Sequence, residues 1–399
     1  MSLKRKLLVI GGSYMNLQMK IAPQNKEDAV TPGGEYRYHP YGDSAISAIS
    51  AAKMGGDCVF ATRFGDDMNG KRLYEYYKDC GISKRLMRKD PEAQTGMCIT
   101  VYSDYSEHER FLSHGASMRF TRDEIDEAFT VTPDLFLAPL EEIGYEEKMV
   151  VVPAEKTPEE AIDDMAAQAL IPELMIETSD FPVSHPADIS PDEEFVEKNN
   201  EDGDAQTDSD KIISSETVSS YIKQESLALY ATEQADKNGI DILMQYTPFT
   251  AQYPLSSLEN IKMLVISDEM LYELTGFFPN NTEKALRALV ALSGQVKAKY
   301  YIVQQGDDSV FIYDGNRYEI VSAPEALKGE TRRIGARMQE TFLGALAAEY
   351  LETKNVVRAC RLAIIVSMLT RAKFGNLEKM MSRTELEQYL AEKDIDLNK

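Results

Sequence analysis

Short apolar runs alternate with amphipathic stretches along most of the chain. Runs at 7–12, 58–62, 134–137, 240–246, 263–266 and 300–304 are short, continuous and rich in Val, Ile and Leu, the pattern of strands buried on both faces. Between and after them, 44–54, 69–79, 217–238, 269–275, 282–293, 340–351, 356–370 and 384–392 read as helices. Residues 310–313 and 317–322 flank Asp314-Gly315, a hairpin signal. Strand–helix alternation of this kind implies a mainly parallel sheet covered on both faces. Two stretches break it. Residues 16–22 with 35–38, and 97–103 with 110–113, alternate with a period of two and read as antiparallel strands of a small second sheet.

Charge adds a feature that the hydrophobic pattern does not carry. The 399 residues hold 43 Lys+Arg and 66 Asp+Glu, a formal net charge of −23, which argues against general nucleic-acid or anionic-membrane binding. Most of the acidity lies in residues 141–210, which hold 22 Asp+Glu, three Lys and no Arg. Within it, 190–210 has one Phe, one Val and no other large apolar residue, too little to offset ordering entropy, so it is expected to be disordered or loosely ordered. Thr157-Pro158 upstream has the form of a helix start. The segment reads as a surface insertion, with a partner-binding acidic arm as the alternative. The apolar run behind the basic N-terminus is too short for a signal peptide, no apolar run is long enough to span a membrane, and Cys58, Cys80, Cys98 and Cys360 are scattered. A cytoplasmic protein with free thiols is expected.

Several small motifs then fall in a fixed order: Gly42, Ala48, Ala51-Ala52, Met54-Gly55, Phe64-Gly65-Asp66-Asp67-Met68-Asn69-Gly70, Thr95-Gly96, His114-Gly115-Ala116, Leu274-Thr275-Gly276, Gly306 and Phe342-Leu343-Gly344-Ala345-Leu346. In that order and spacing the chain resembles the ribokinase, or PfkB, family of carbohydrate kinases, over about residues 7–140 and 213–398. The resemblance implies an α/β, ribokinase-like, three-layer α/β/α fold with a mainly parallel sheet and a small antiparallel β lid. It implies one α/β domain from 1–144 and 213–399, with lid segments at about 14–41 and 95–114 and the acidic insertion at 145–212. It further implies ATP and Mg2+, a sugar or nucleoside substrate, and a lid that often mediates homodimers.

The same resemblance assigns the site. Transfer of the ATP γ-phosphoryl group needs positioning and charge stabilisation more than covalent help. In the family an Asp in a Gly-Ala-Gly-Asp turn acts as base; here the turn is Arg337, Met338, Gln339 and Glu340. Glu340 takes the base position, one methylene longer, and both glycines of the anion hole are replaced. The substrate positions are Asn16 (an Asp in the family), Gly42 after Tyr41, and Ile46, which cannot hydrogen-bond where the family has Asn. The Asn-x-x-Glu that organises magnesium falls on Ser267-Asp268-Glu269-Met270, and the nucleotide-side glycine is Gly306, after Gln304-Gln305.

Scaffold positions are kept while chemical positions change, the pattern of a fold whose reaction is lost or altered. His39, His108, His114 and His185 have no ligand spacing, so no metal site of the protein's own is expected. Cys98 and Cys360 lie in apolar patterns and read as inert. The run Tyr36 to Tyr41 suits ligand stacking or lid packing equally. Two classes stay open: a kinase acting through Glu340, and a noncatalytic protein that binds a small ligand or a partner. Deletion of 186–210 is expected to leave the melting temperature within a few degrees of the full chain; a fall of about 10 °C in a thermal melt would mean that the segment packs on the body.

Overall fold

The computed structural model describes residues 5–21, 33–102, 108–152, 219–306, 308–328, 339–371 and 380–398. Residues 153–218, with most of the acidic segment, lie outside them, as do Arg337 and Met338. The first half runs β1 (Lys6–Ile10), β2 (Tyr14–Ile21), β3 (Gly33–Tyr41), α1 (Asp43–Lys53), β4 (Asp57–Gly65), α2 (Met68–Asp79), β5 (Met87–Asp90), β6 (Gly96–Tyr102), β7 (His108–Ser113), α3 (Arg122–Phe129), β8 (Leu135–Leu137) and β9 (Tyr145–Val152). It continues with β10 (Ser219–Ser226), α4 (Leu227–Lys237), β11 (Asp241–Gln245), β12 (Ile261–Ser267), α5 (Asp268–Thr275), α6 (Thr282–Ser293), β13 (Tyr300–Gln305), β14 (Ser309–Tyr313), β15 (Tyr318–Ser322), the single turn α7 (Glu325–Lys328), α8 (Gln339–Thr353), α9 (Val356–Arg371) and α10 (Arg383–Glu392). Residues Met1–Lys148 and Lys223–Lys399 form one compact unit, and Met149–Ile222 a second.

Nine strands make the main sheet, in the order β15-β14-β13-β12-β11-β8-β1-β4-β5. The strands from β13 to β5 pair parallel, and the β14–β15 hairpin closes one edge antiparallel. Their apolar residues alternate between two cores. Leu7, Val9, Leu243, Val265 and Ile302 pack under α1, α8, α9 and α10, while Leu8, Ile10, Met244, Leu264 and Val303 pack under α3, α4, α5 and α6. This is the three-layer α/β/α arrangement of a parallel sheet buried on both faces. The lid is a four-stranded sheet, β3-β2-β6-β7, antiparallel at its edges with a parallel pair β2–β6 at its centre.

One expected element is corrected. The helix anticipated over 217–238 is a strand followed by a helix: β10 pairs with β9, and α4 begins only where the Ser226 hydroxyl accepts from the Leu229 N–H at 3.1 Å. An N-cap serine stops a helix from extending backward through it, because its own backbone is extended. The Gly-x-Asp-x-x-Gly motif is a joint. Asp67 caps α2 through the Gly70 N–H at 2.8 Å and holds the Thr95 N–H and hydroxyl at 2.8 and 2.7 Å, fastening α2 to the start of β6.

Two features seat α8. At its C-terminal half the fully buried Glu349 is paired with Arg358 of α9 and Arg383 of α10, so removal of both arginines would leave buried charge uncompensated. At its N-terminal half Gly344 lies on α1: a Cβ there would stand 2.1 Å from the Ser47 carbonyl oxygen and 2.7 Å from Ser50 Cβ. The Ser50 hydroxyl donates to the Thr341 carbonyl at 2.7 Å across the same seam. Gly344→Ala is therefore expected to push the helices apart at a cost of about 3 kcal/mol. Chemical denaturation checks this; an unchanged midpoint would mean that the seam yields freely.

Candidate functional site

In the sheet order β1 lies between β4, which follows it, and β8, which opens the run in the other direction. A parallel sheet that reverses there leaves a crevice beyond the strands' C-terminal ends, where ligands bind in open α/β sheets. The residues that line it are set by backbone clearance. Gly11 follows β1, and a Cβ on it would lie 2.1 Å from Ser44 Oγ. Gly42, at φ +117°, would bring a Cβ within 2.8 Å of the Gly12 carbonyl. Without side chains at these points the first turn of α1 sits directly on the end of β1.

Three carboxyls are buried around this crevice, and the charge of one, Asp43, is felt by the other two. Asp43 lies in the first turn of α1 and Glu340 in the first turn of α8. Glu141 belongs to the loop after β8. Its neighbour Glu142 is fully employed, accepting from Ser226 Oγ at 2.6 Å and from the N–H groups of Ile143, Gly144 and Ala228. Glu141 turns to the other side, toward the N–H groups of Gly12 and Ser44 and the Tyr14 hydroxyl. Burial and then the nearby Asp43 charge push Glu141 up to about 8, against those donors. Burial and Asp43 likewise push Glu340 up to about 8, opposed by its own N–H and by Arg110. Asp43 is raised by burial and lowered by Arg110. Arg110 reaches in from the lid strand β7, its Nη1 3.3 Å from the Tyr41 hydroxyl and its guanidinium 5.6 Å from the Tyr41 ring centre.

The anticipated site residues are divided among several places. Gly42 and Glu340 come together around Asp43. Gln339 accepts from Gln245 Nε2, at the end of β11, at 2.6 Å. Ile46 is buried in the core beneath α1. Asn16 is buried on β2; its Oδ1 accepts from Thr100 Oγ1 at 3.0 Å, and its Nδ2 donates to His39 Nε2 at 3.2 Å, His39 donating from Nδ1 to the Pro40 carbonyl. Gly306 follows β13, four strands along from β1, or about 19 Å at ordinary strand spacing.

At that nucleotide-side end the donor set does not make a phosphate cradle. The Gly306 N–H donates to Asp268 Oδ2 at 3.3 Å, and Ser267 Oγ accepts from the Met270 N–H at 3.1 Å. Gln304 Oε1 is buried without a partner, an acceptor where a phosphate needs donors. A magnesium ion carried by nucleotide needs one or two carboxylates beside the phosphates. Asp268 and Glu269 are acids there, but the position of the motif's Glu is Met270. As they stand, these residues do not fit Mg·ATP.

Sequence reasoning missed Asp43, Glu141, Arg110 and Gln245. The signal for Glu141 was its place after the apolar 134–137 strand; it becomes meaningful once β8 is known to flank the switch in strand order. Arg110 is legible only through the lid, since its partners are more than sixty residues away in sequence.

Comparison with known proteins agrees with the fold. Residues 4–138 match the pfkB family carbohydrate kinase model. The bifunctional ribokinase/ribose-5-phosphate isomerase A of Fructilactobacillus sanfranciscensis is 23% identical over 145 residues, 34% of this chain and 26% of that protein. The 2-dehydro-3-deoxygluconokinase of Thermoproteus tenax is 33% identical over 75 residues, 18% of this chain and 23% of that protein. These matches span about a quarter of each relative's length. The structure of Arabidopsis thaliana ribokinase complexed with ribose and ATP superposes with a TM-score of 0.64 at 15% identity, covering 97% of this chain and 99% of that one. No helix among the described residues is long and apolar enough to cross a membrane.

The raised carboxyls set a pH dependence. Glu141 and Glu340 titrate near 8 when folded against about 4.3 when unfolded, so the folded chain holds the extra protons between those values. Their stabilising contribution is full below about 4.3 and is lost as pH rises through about 8. Glu340→Gln is expected to flatten the fall in melting temperature between pH 5 and pH 9 by several degrees. Parallel pH profiles of variant and parent would contradict the assignment.

Proposed function

The chain is a ribokinase/PfkB-like, carbohydrate-kinase-like protein, and from that premise we propose that its crevice binds a small hydroxylated ligand of the sugar or nucleoside kind while phosphoryl transfer from ATP is reduced to a trace. The observation that carries this reading is the contrast between the two ends of the cleft. At the switch point Asp43, Glu141 and Glu340 offer acceptors to hydroxyls. At the nucleotide end Asp268 already occupies the Gly306 N–H. A carboxylate at that amide also repels polyphosphate.

A kinase acting through Glu340 is the second reading, and one observation favours it. A base works best with a pKa near the working pH, and Glu340 is raised to about 8 at a helix N-terminus. In this reading Glu340 takes the proton of the attacking hydroxyl and Gln339 borders the transferring group, while Arg337 and Met338 lie outside the described residues. Asn16, Gly42 and Ile46 then bound the substrate, and Gly306 borders the nucleotide with Mg2+. Loss of one anion-hole donor commonly costs ~10²–10³-fold in rate, which supports weak turnover at best.

The lid supports a homodimer as part of the proposal. By strand register Leu17, Met19, Tyr36, Tyr38, Ile99 and Phe111 share the face opposite Arg110, and Tyr36 and Phe111 are 62% and 58% exposed. Such a patch fits a partner surface better than water.

Calorimetry with Mg·ATP and an ATP-consumption assay against ribose, fructose, adenosine and pseudouridine separate the readings. The expected result is ligand binding without turnover in the common enzyme range of ~1–10³ s⁻¹. Turnover in that range on any of them would establish the kinase reading, and Glu340→Gln should then abolish it while nucleotide still binds.

A further inference from the structure

The crevice holds buried oxygens that the chain itself leaves without a partner. Ser44 is 1% exposed and its hydroxyl has no hydrogen-bond partner. Glu141 Oε1 is also buried and without a partner. Both atoms lie beside Gly11: a Cβ there would stand 2.1 Å from Ser44 Oγ and 3.7 Å from Glu141 Oε1. Asp43 precedes Ser44 in the same turn, and Glu340 and Arg110 complete the surroundings. Buried acceptors left unmade are costly, and among the described residues the charge that opposes Asp43 and Glu340 is that of Arg110.

We propose that the crevice takes a hydroxylated ligand carrying a positively charged primary amine, which Ser44, Asp43 and Glu141 receive. The proposal rests on the ligand-binding reading of this cleft and names its substrate class. An ammonium has three N–H donors and no acceptor, matching Ser44 Oγ, Glu141 Oε1 and the Asp43 carboxylate one for one. A neutral hydroxyl brings a single donor and leaves the repulsion between carboxylates in place. Glu340 and the lid residues Tyr14 and Tyr41 then face the ligand's hydroxyls.

The pH dependence follows from every group that faces the amine. Asp43 on α1, Glu141 after β8 and Glu340 on α8 are all raised, with Glu141 and Glu340 near 8, so some protons remain on the cluster at neutral pH. Arg110 on β7 keeps its charge throughout, and Tyr14 and Tyr41 are raised by burial and stay neutral. An ammonium expels a proton as it binds, so the affinity of glucamine, an alkylamine that stays charged over this range, increases from pH 6 to pH 8.

The test is calorimetry on the full chain with matched probes: glucosamine against glucose and N-acetylglucosamine, galactosamine against galactose, and glucamine against sorbitol. The expected result is at least tenfold tighter binding of an amine than of its neutral match, with a heat that depends on the buffer's ionisation enthalpy. Glu141→Gln should bring the pair to parity; where that variant does not fold, the comparison of glucosamine with N-acetylglucosamine on the parent decides. Equal or tighter binding of the neutral sugars overturns the amine and leaves the cleft reading standing. No binding of any probe at millimolar concentration overturns both.

Discussion

The seam between α1 and α8 is the constraint on which the rest depends. Gly344 lets the two helices approach until only backbone and small side chains separate them, and Ser50 ties them by a hydrogen bond to Thr341. The first turn of α1 holds Asp43, two turns before Ser50, and the first turn of α8 holds Glu340, next to Thr341. Close packing of the helix bodies thus brings together two carboxylates, each at a helix N-terminus where the dipole favours negative charge. The Glu349 pairs with Arg358 and Arg383 anchor the other half of α8. A site built on two helices fixed this way is held more firmly than one carried by loops.

Mutual repulsion is the electrical consequence. Helix dipoles and the N–H groups of Gly12 and Ser44 draw negative charge into the crevice, while burial and the proximity of Asp43 oppose it. Among the described residues Arg110, on the lid, offsets it, tying the charge balance of the floor to the position of the lid. At the nucleotide end the balance is different. Asp268 satisfies the Gly306 amide within the chain, so an anion would have to displace a carboxylate before it could bind.

Much of the fold was legible because it rests on local patterns. Leu7–Ile10 and Met263–Ile266 are apolar on both faces, so they announce central parallel strands. The helix expected over 217–238 was misread because the β10–β9 pairing lies across residues 153–218, beyond the reach of periodicity. Glu340 was legible through the resemblance, as the residue at the family's base position at the start of a helix. Glu141 and Asp43 were not, because their meaning comes from strand order and from the clearance at Gly11. Asn16 was legible as a polar residue near the first strand, but its ties to Thr100 and His39 depend on the register of β2 against β3 and β6.

The central claim is that burial in the crevice, with the Asp43 charge beside them, holds protons on Glu141 and Glu340 at neutral pH. Carboxyl-selective ¹³C NMR titration of the glutamates, assigned by Glu141→Gln and Glu340→Gln, tests it most directly. The account predicts apparent midpoints near 8 for both, moving down together in Asp43→Asn. Midpoints in the ordinary carboxylate range of about 4–5, unmoved by that substitution, would contradict it.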